Sequence, residues 1–151
     1  MPDRNVYPLS LETFVQLIDQ AGYKKHTIDT QAGRVTFDLQ GEETVLRVHV
    51  MPGKTTENDE AWYVRFLTYS LQFEPAKAGV PVPKVLEWLN RKNRDLLFGR
   101  YYYDDSTDTV AFEVAMPCNG GVLGEDFDDL LRISTLSVDR THADLKALKG
   151  D

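Results

Sequence analysis

The amino-acid sequence predicts an α+β fold, in which a single twisted antiparallel sheet has helices packed largely on one face. Three observations predict this class. Several segments alternate apolar and polar residues as half-buried strands do, other segments place apolar residues at helical spacing, and short turn-forming stretches separate them. A chain of 151 residues has the usual length of one domain, so we expect residues 1–151 to form a single domain.

The first predicted element is a helix between Ser10 and Gly22. Ser10 suits the N-cap position, and Gly22 can enter the left-handed conformation that ends many helices. Leu17 lies off the apolar stripe of this helix. The stripe consists of Leu11, Phe14, Val15, Ile18 and Ala21.

Strands are predicted to follow. Residues 23–30 show a weak strand pattern, whereas residues 34–40 and 43–51 alternate clearly. Residues 52–60 are polar and predict a loop. Residues 61–73 predict a long aromatic strand, whose inward-facing set changes phase near Leu67 and so indicates a bulge or strong twist there.

A crossover at residues 74–83 leads to a second helix, predicted at residues 84–94. Its inward residues are Val85, Leu86 and Leu89, and Trp88 lies on the flank of that stripe. Strands at residues 96–103 and 109–117 come next, joined by an Asp-rich turn. The last helix is expected to begin at about residue 125 and end near 148. Its core stripe consists of Phe127, Leu130, Leu131, Val138, Leu145 and Leu148.

Charge and composition limit the classes of partner. The formal net charge is -7 and the sequence pI is about 4.9, which argues against nonspecific nucleic-acid binding. The first residues lack the apolar run of a signal peptide, and no apolar stretch is long enough to span a bilayer. We expect a cytoplasmic protein that binds neither nucleic acid nor membrane.

The histidines and the cysteine do not form a catalytic or metal-binding motif. The histidines, His26, His49 and His142, fall on separate elements without zinc-site spacing. Cys118 precedes a Gly-rich stretch near a helix start, yet no motif places a base beside it. We therefore interpret all four residues as structural.

Two further segments resemble ligand sites only in part. Gly53-Lys54-Thr55 resembles the end of a phosphate-binding loop, but Val48 stands where that motif needs glycine. The turn that contains Asp104, Asp105 and Asp108 is too short for a calcium loop. We expect no cofactor, no metal and no enzymatic activity.

Aromatic residues off the core stripes are the candidate interface. Trp88 lies on the flank of the second helix, and Tyr101 and Tyr103 share one face of the next strand, so we expect them to join two copies in a homodimer. Ile133 and Leu136, opposite the core stripe of the last helix, are the rival surface. A basic cluster is interpreted as a solvated face, or alternatively as a contact for an acidic partner segment. It consists of Lys84, Arg91, Lys92, Arg94 and Arg100.

The order of elements and several residues resemble the bacterial YbjN-like family, whose fold is similar to that of the type III secretion chaperones. The matching order is α-β-β-β-α-β-β-α, with an extra hairpin near residues 31–41. The resemblance implies no catalytic residues; it implies a small acidic protein that binds protein segments, commonly as a dimer. The matching residues are Leu89, Asn90, Phe98, Gly99, Arg100, Tyr101, Asp104, Val110, Phe112 and Glu113.

The function predicted first is a noncatalytic, chaperone-like or regulatory module that binds a protein segment. The alternative is a cup between sheet and helices that binds a small molecule or peptide. The third possibility is an uncharacterised enzyme, which no constellation of residues favours.

Overall fold

The computed structural model describes residues 4–55 and 58–148. The elements in chain order are β1 (Val6–Tyr7), α1 (Leu11–Gln20), β2 (His26–Asp29), β3 (Arg34–Gln40), β4 (Val45–Thr55), β5 (Asn58–Ser70), α2 (Val82–Asp95), β6 (Arg100–Asp104), β7 (Thr109–Pro117), β8 (Val122–Leu123) and α3 (Gly124–Lys146). Within the described ranges, none of the helices has both the length and the apolar character needed to cross a bilayer.

The predicted α+β class is confirmed. Six antiparallel strands form one sheet in the order β2-β3-β4-β5-β7-β6, and the three helices pack against one of its faces. A second, two-stranded sheet pairs β1 with β8, which the sequence pattern did not predict. This small sheet ties the start of the described chain to the beginning of α3.

Aromatic side chains join the helices to the sheet. The ring of Phe127 in α3 lies 5.0 Å from that of Phe66 in β5 and 5.8 Å from that of Phe14 in α1, measured between centroids. All three side chains are fully buried, where each contributes most to the hydrophobic free energy of folding. Ser10 caps α1 as predicted, because its hydroxyl accepts a hydrogen bond from the backbone N–H of Thr13 at 3.2 Å.

A buried carboxylate fixes the turn between β3 and β4. Asp139 of α3 is only 5% exposed and accepts hydrogen bonds from the backbone N–H groups of Glu42, Glu43 and Thr44, at 2.8, 2.9 and 3.1 Å. A Cβ atom at Gly41 would overlap this carboxylate, so the close approach requires glycine. The sequence pattern gave no indication of this contact between residues almost one hundred positions apart.

Two predictions about β4 and β5 are wrong. Residues 52–55 and 58–60 are strand and not loop, because β4 and β5 remain paired there, Pro52 with Val64 and Gly53 with Tyr63; residues 56 and 57 lie outside the described ranges. The phase of β5 does not change near Leu67, because pairing with both neighbouring strands is continuous there. Leu67 lies on the face without helices, and the irregularity in register lies between Gly53 and Thr55.

Two helices face the core at different angles from those predicted. In α1, Leu17 is buried with 2% exposure, although it lies off the predicted stripe. In α2, Leu86 is 51% exposed and Trp88 is buried, so the inward stripe is Val85, Trp88 and Leu89. The reason is that α2 packs at the β6 edge of the sheet, where Trp88 meets the ring of Tyr101 at 5.4 Å.

Candidate functional site

The candidate site is the connection between α2 and β6, which we call the apolar turn and define as residues 96–99. The sequence predicted a strand from residue 96, but β6 begins only at Arg100. Leu97 is 91% exposed and Phe98 is 68% exposed. These are the two highest exposed fractions among the large hydrophobic residues of the described ranges. Adjacent exposed apolar side chains of this size indicate a contact surface more strongly than isolated ones do.

A side-chain clamp holds both ends of the apolar turn. The amide oxygen of Asn93, in the last turn of α2, accepts a hydrogen bond from the N–H of Tyr101 at 2.7 Å. The amide nitrogen of Asn93 donates to the carbonyl oxygen of the same tyrosine at 2.9 Å. The side-chain amide of Asn93 therefore makes the two hydrogen bonds that the backbone of a further strand would make at this edge of β6. These bonds fix the distance between the end of α2 and β6.

Gly99 gives the apolar turn its direction. Its φ of +79° lies in the left-handed region, and a Cβ atom there would overlap the Phe112 ring and lie 2.8 Å from the carbonyl oxygen of Glu113. The position therefore requires glycine, because only glycine avoids both the backbone strain and the overlap. Phe98, directly before it, points away from the core.

Cationic side chains lie on the elements that flank the apolar turn, and we call Arg91, Lys92 and Arg94 of α2, with Arg100 of β6, its basic rim. Their ion pairs are weakly held: Lys92 lies 4.0 Å from Asp144, and Arg94 lies 3.7 Å from Asp95. Exposed pairs of this kind contribute little free energy, so the rim can exchange its partners at small cost. An apolar centre with a charged rim is the usual anatomy of a protein-binding surface.

The predicted aromatic surface is wrong at two of its three residues. Trp88 and Tyr101 are 6% and 7% exposed, so both belong to the core. The Tyr101 hydroxyl donates to the carbonyl oxygen of Ser137 at 3.2 Å and accepts from the Thr141 hydroxyl at 3.1 Å. Burial raises the pKa of Tyr101, which therefore stays a neutral phenol.

The remaining interface candidates keep some exposure. Tyr103 is half-buried, and its hydroxyl donates to Asp108 at 2.6 Å; this hydrogen bond raises the pKa of Tyr103 to about 12. Ile133 and Leu136 are 38% and 42% exposed on the outer side of α3, as the helical spacing predicted. Their role in an interface stays a prediction.

The other residues matched to the family have separate positions. Leu89 is buried in α2, whereas Asn90 is exposed, and the clamp is formed by Asn93 instead. Arg100 lies 3.4 Å from Glu113. Asp104 accepts hydrogen bonds from the backbone N–H and the hydroxyl of Ser106, and these contacts lower its pKa. Of this set, Phe98 and Gly99 lie in the apolar turn, and Arg100 follows it as the first residue of β6.

The residues with catalytic or ligand-binding side chains do not assemble into a site among the residues that the structure describes. Cys118 is buried, its thiol donates to the carbonyl oxygen of Met116 at 3.4 Å, and burial raises its pKa, which disfavours the nucleophilic thiolate. In the part of the chain that the structure describes, no three His, Cys, Asp or Glu side chains form a group able to hold a metal ion. Lys54 lies within β4 and not in a phosphate-binding loop.

A small cavity lies where the predicted ligand cup would be. It holds about 300 Å³ between the end of β5, the crossover and α3, with Phe73, Val80 and His142 among its walls. The imidazole of His142 packs edge-on against the Phe73 ring at 5.1 Å, and burial lowers its pKa. This volume is at the lower end of the range for small-molecule sites.

Sequence reasoning missed the two features on which the apolar turn depends. Asn93 lies eight positions before its partner Tyr101 and has no local signal, because a helical Asn is usually solvated. The run Leu96-Leu97-Phe98 resembles a buried strand in composition, so its exposure could not be predicted from periodicity.

Comparison with known proteins supports the resemblance. Residues 10–146 match the model of the YbjN family, described as "Putative bacterial sensory transduction regulator". The fold is similar to a crystal structure described as "YbjN, a putative transcription regulator from E. coli", with a TM-score of 0.60 and 14% sequence identity over 90% of each chain. No curated protein matches the chain.

Proposed function

This chain belongs to the YbjN family, and from that premise we propose that it is a noncatalytic regulatory module that binds a segment of a partner protein. The apolar turn is the binding surface in this proposal. The observation that carries it is the pair Leu97 and Phe98, which are adjacent and largely exposed, on a turn whose two ends are joined by the hydrogen bonds between Asn93 and Tyr101. Anchoring the ends of the turn reduces the backbone entropy that is lost when a partner covers it.

The charges around the turn favour a particular kind of partner. Each cation of the basic rim lies beside a carboxylate, at distances between 3.4 and 4.0 Å, and an acidic partner segment would have to replace these exposed pairs. A second copy docked symmetrically would place one basic rim against another, which costs free energy. We therefore propose that the occupant is a segment with apolar residues next to acidic ones.

The homodimer expected from the sequence would need a different surface. Since Trp88 and Tyr101 are buried, we propose that two copies pack through the outer side of α3, where Ile133 and Leu136 are exposed. This arrangement leaves the apolar turn open for a partner segment in both copies.

Selection from a random peptide library tests the proposed partner chemistry. The immobilised protein should enrich peptides with an aromatic or large aliphatic residue flanked by Asp or Glu. Leu97→Asp with Phe98→Asp should abolish this enrichment, because the variant removes the apolar centre and adds negative charge. A matched variant, Val6→Asp with Ile28→Asp, changes two other exposed apolar residues and should retain it. Equal enrichment by both variants, or enrichment of basic peptides, would contradict the proposal.

A further inference from the structure

The face of the sheet without helices contains a hollow of about 380 Å³. It lies towards the turn between β6 and β7, at the opposite end of β6 from the apolar turn. Leu67 and Ala111 form an apolar floor, and Tyr69 and Tyr102 contribute aromatic walls. Ala111 is only 3% exposed although no helix of the described chain covers this face. The volume of about 380 Å³ is large enough for a molecule that contains one aromatic ring.

One side of the hollow is cationic. Arg34 and Arg47 extend from β3 and β4 into its wall. Arg47 forms two hydrogen bonds with the Asp38 carboxylate, at 2.8 and 3.0 Å, which hold its guanidinium in place and offset part of its charge. The Nε atom of Arg34 is buried and has no hydrogen-bond partner in the structure. A buried donor without a partner costs free energy, which an anionic ligand would recover.

A buried histidine lies between these arginines. His49 is 6% exposed, with Nδ1 2.7 Å from the Thr36 hydroxyl and Nε2 3.1 Å from the Tyr69 hydroxyl. Burial and then the charges of Arg34 and Arg47 lower its pKa to about 4, so the ring is neutral near pH 7. A neutral ring adds no positive charge of its own, so an anion on this side would be attracted by the arginines.

The far rim of the hollow has the opposite charge. Asp104 lies there, and its hydrogen bonds with Ser106 favour the ionised carboxylate. An anionic group close to Asp104 would be repelled, whereas one close to Arg34 would be attracted. A ligand should therefore carry its negative charge at one end only.

We propose that this hollow binds a small organic anion, with one carboxylate or phosphate group against Arg34 and Arg47 and a flat apolar body over Leu67 and Ala111. The site does not depend on the partner segment proposed for the apolar turn. It would give the regulatory module an input separate from its protein-binding surface.

Titration of the ¹⁵N-labelled full chain with benzoate, phenyl phosphate and benzamide, followed by NMR, tests this inference. Saturable shifts are expected with benzoate or phenyl phosphate for amides of β3, β4 and the turn between β6 and β7. Uncharged benzamide should bind about ten-fold more weakly or not at all, because it lacks the charge that the arginines recognise. The anion with the lower dissociation constant shows whether the site prefers a carboxylate or a phosphate group.

Matched variants connect the binding to the hollow. Arg34→Gln should weaken binding by about ten-fold or more, whereas Arg140→Gln, at an exposed arginine of α3, should change it by less than about two-fold. Thr109→Glu, which adds a second carboxylate to the lining, should also abolish binding and tests the site if Arg34→Gln unfolds the chain. Absence of saturable shifts, equal binding of benzamide, or equal effects of the two arginine variants would overturn the proposal.

Discussion

The backbone at Gly99 determines where the side chains of the apolar turn point. Two separate effects disfavour any residue other than glycine at this position. One is the left-handed φ of +79°, and the other is the lack of space beside Phe112 and Glu113. At Gly33 only the backbone conformation disfavours other residues, because its φ is +67° and no atom lies within 4 Å of the position that a Cβ would occupy. The two glycines therefore form a natural comparison of backbone strain with steric overlap.

We expect Gly99→Val to lower the free energy of unfolding by about 3 kcal/mol or more, since strain and overlap add. Gly33→Val should lower it by only about 1–2 kcal/mol, the cost of the left-handed conformation. Urea denaturation of both variants measures the difference. Equal losses would show that the packing around Phe112 adapts to the larger side chain.

His49 should make the stability depend on pH. Its pKa is about 4 in the folded chain, below the ordinary value of 6.5, because burial and two arginines disfavour the charged ring. As the pH falls below 6.5, the unfolded chain therefore binds the proton before the folded chain does. Stability should decrease from pH 6.5 to about 4, by roughly 2–3 kcal/mol in total.

His49→Gln should reduce this loss, which denaturation curves at several pH values can measure for both chains. His142 adds a slope of the same sign because its pKa is also lowered by burial, so the difference between wild type and variant is the informative quantity. Identical pH profiles would show that His49 is protonated equally easily in the folded and unfolded chains.

At the scale of elements, the clamp between α2 and β6 is the contact most important for the apolar turn. Asn93→Ala should lower the free energy of unfolding by about 1–3 kcal/mol, because it removes two hydrogen bonds and leaves the Tyr101 backbone groups without their partner. It should also accelerate hydrogen exchange at the Tyr101 amide. Asn90→Ala, at an exposed residue of the same helix, should change neither quantity. If the Tyr101 amide remains protected in Asn93→Ala, the clamp does not hold this edge.

The elements also show what the sequence can and cannot predict. The range of β3 agrees with its alternating pattern, and Ser10 and Gly22 mark the ends of α1, because these signals are local. The hairpin after Pro52 was missed because its strands depend on cross-strand pairing and not on an apolar face.

The candidate site was only partly predictable for the same reason. Phe98, Gly99 and Arg100 were named from the sequence only as residues that match the family, within a predicted strand and not as an exposed surface. Periodicity does not give the angle at which α2 meets the sheet. That angle buries Trp88 against Tyr101 and exposes Leu86, so two residues of the predicted aromatic surface belong to the core. A contact between distant residues, such as Asn93 with Tyr101, leaves no periodic signal.

At the scale of the whole molecule, two exposed apolar surfaces lie on different elements. If the outer side of α3 forms the homodimer, Ile133→Asp with Leu136→Asp should give a monomer by light scattering after size-exclusion chromatography. Leu97→Asp with Phe98→Asp should leave the dimer intact. A wild-type mass of one chain at tens of micromolar would contradict the dimer, and loss of the dimer only in the second variant would place it at the apolar turn.

The central claim is that the apolar turn binds a partner protein, and site-specific photo-crosslinking in the native cell tests it most directly. A photoreactive phenylalanine analogue would replace Phe98 in one strain and Val6, a second exposed residue on a separate element, in the other. We predict one dominant crosslinked partner at position 98, joined through a segment rich in apolar and acidic residues, and no such product at position 6. The same product at both positions, or none at position 98 in the presence of full-length protein, would contradict the account.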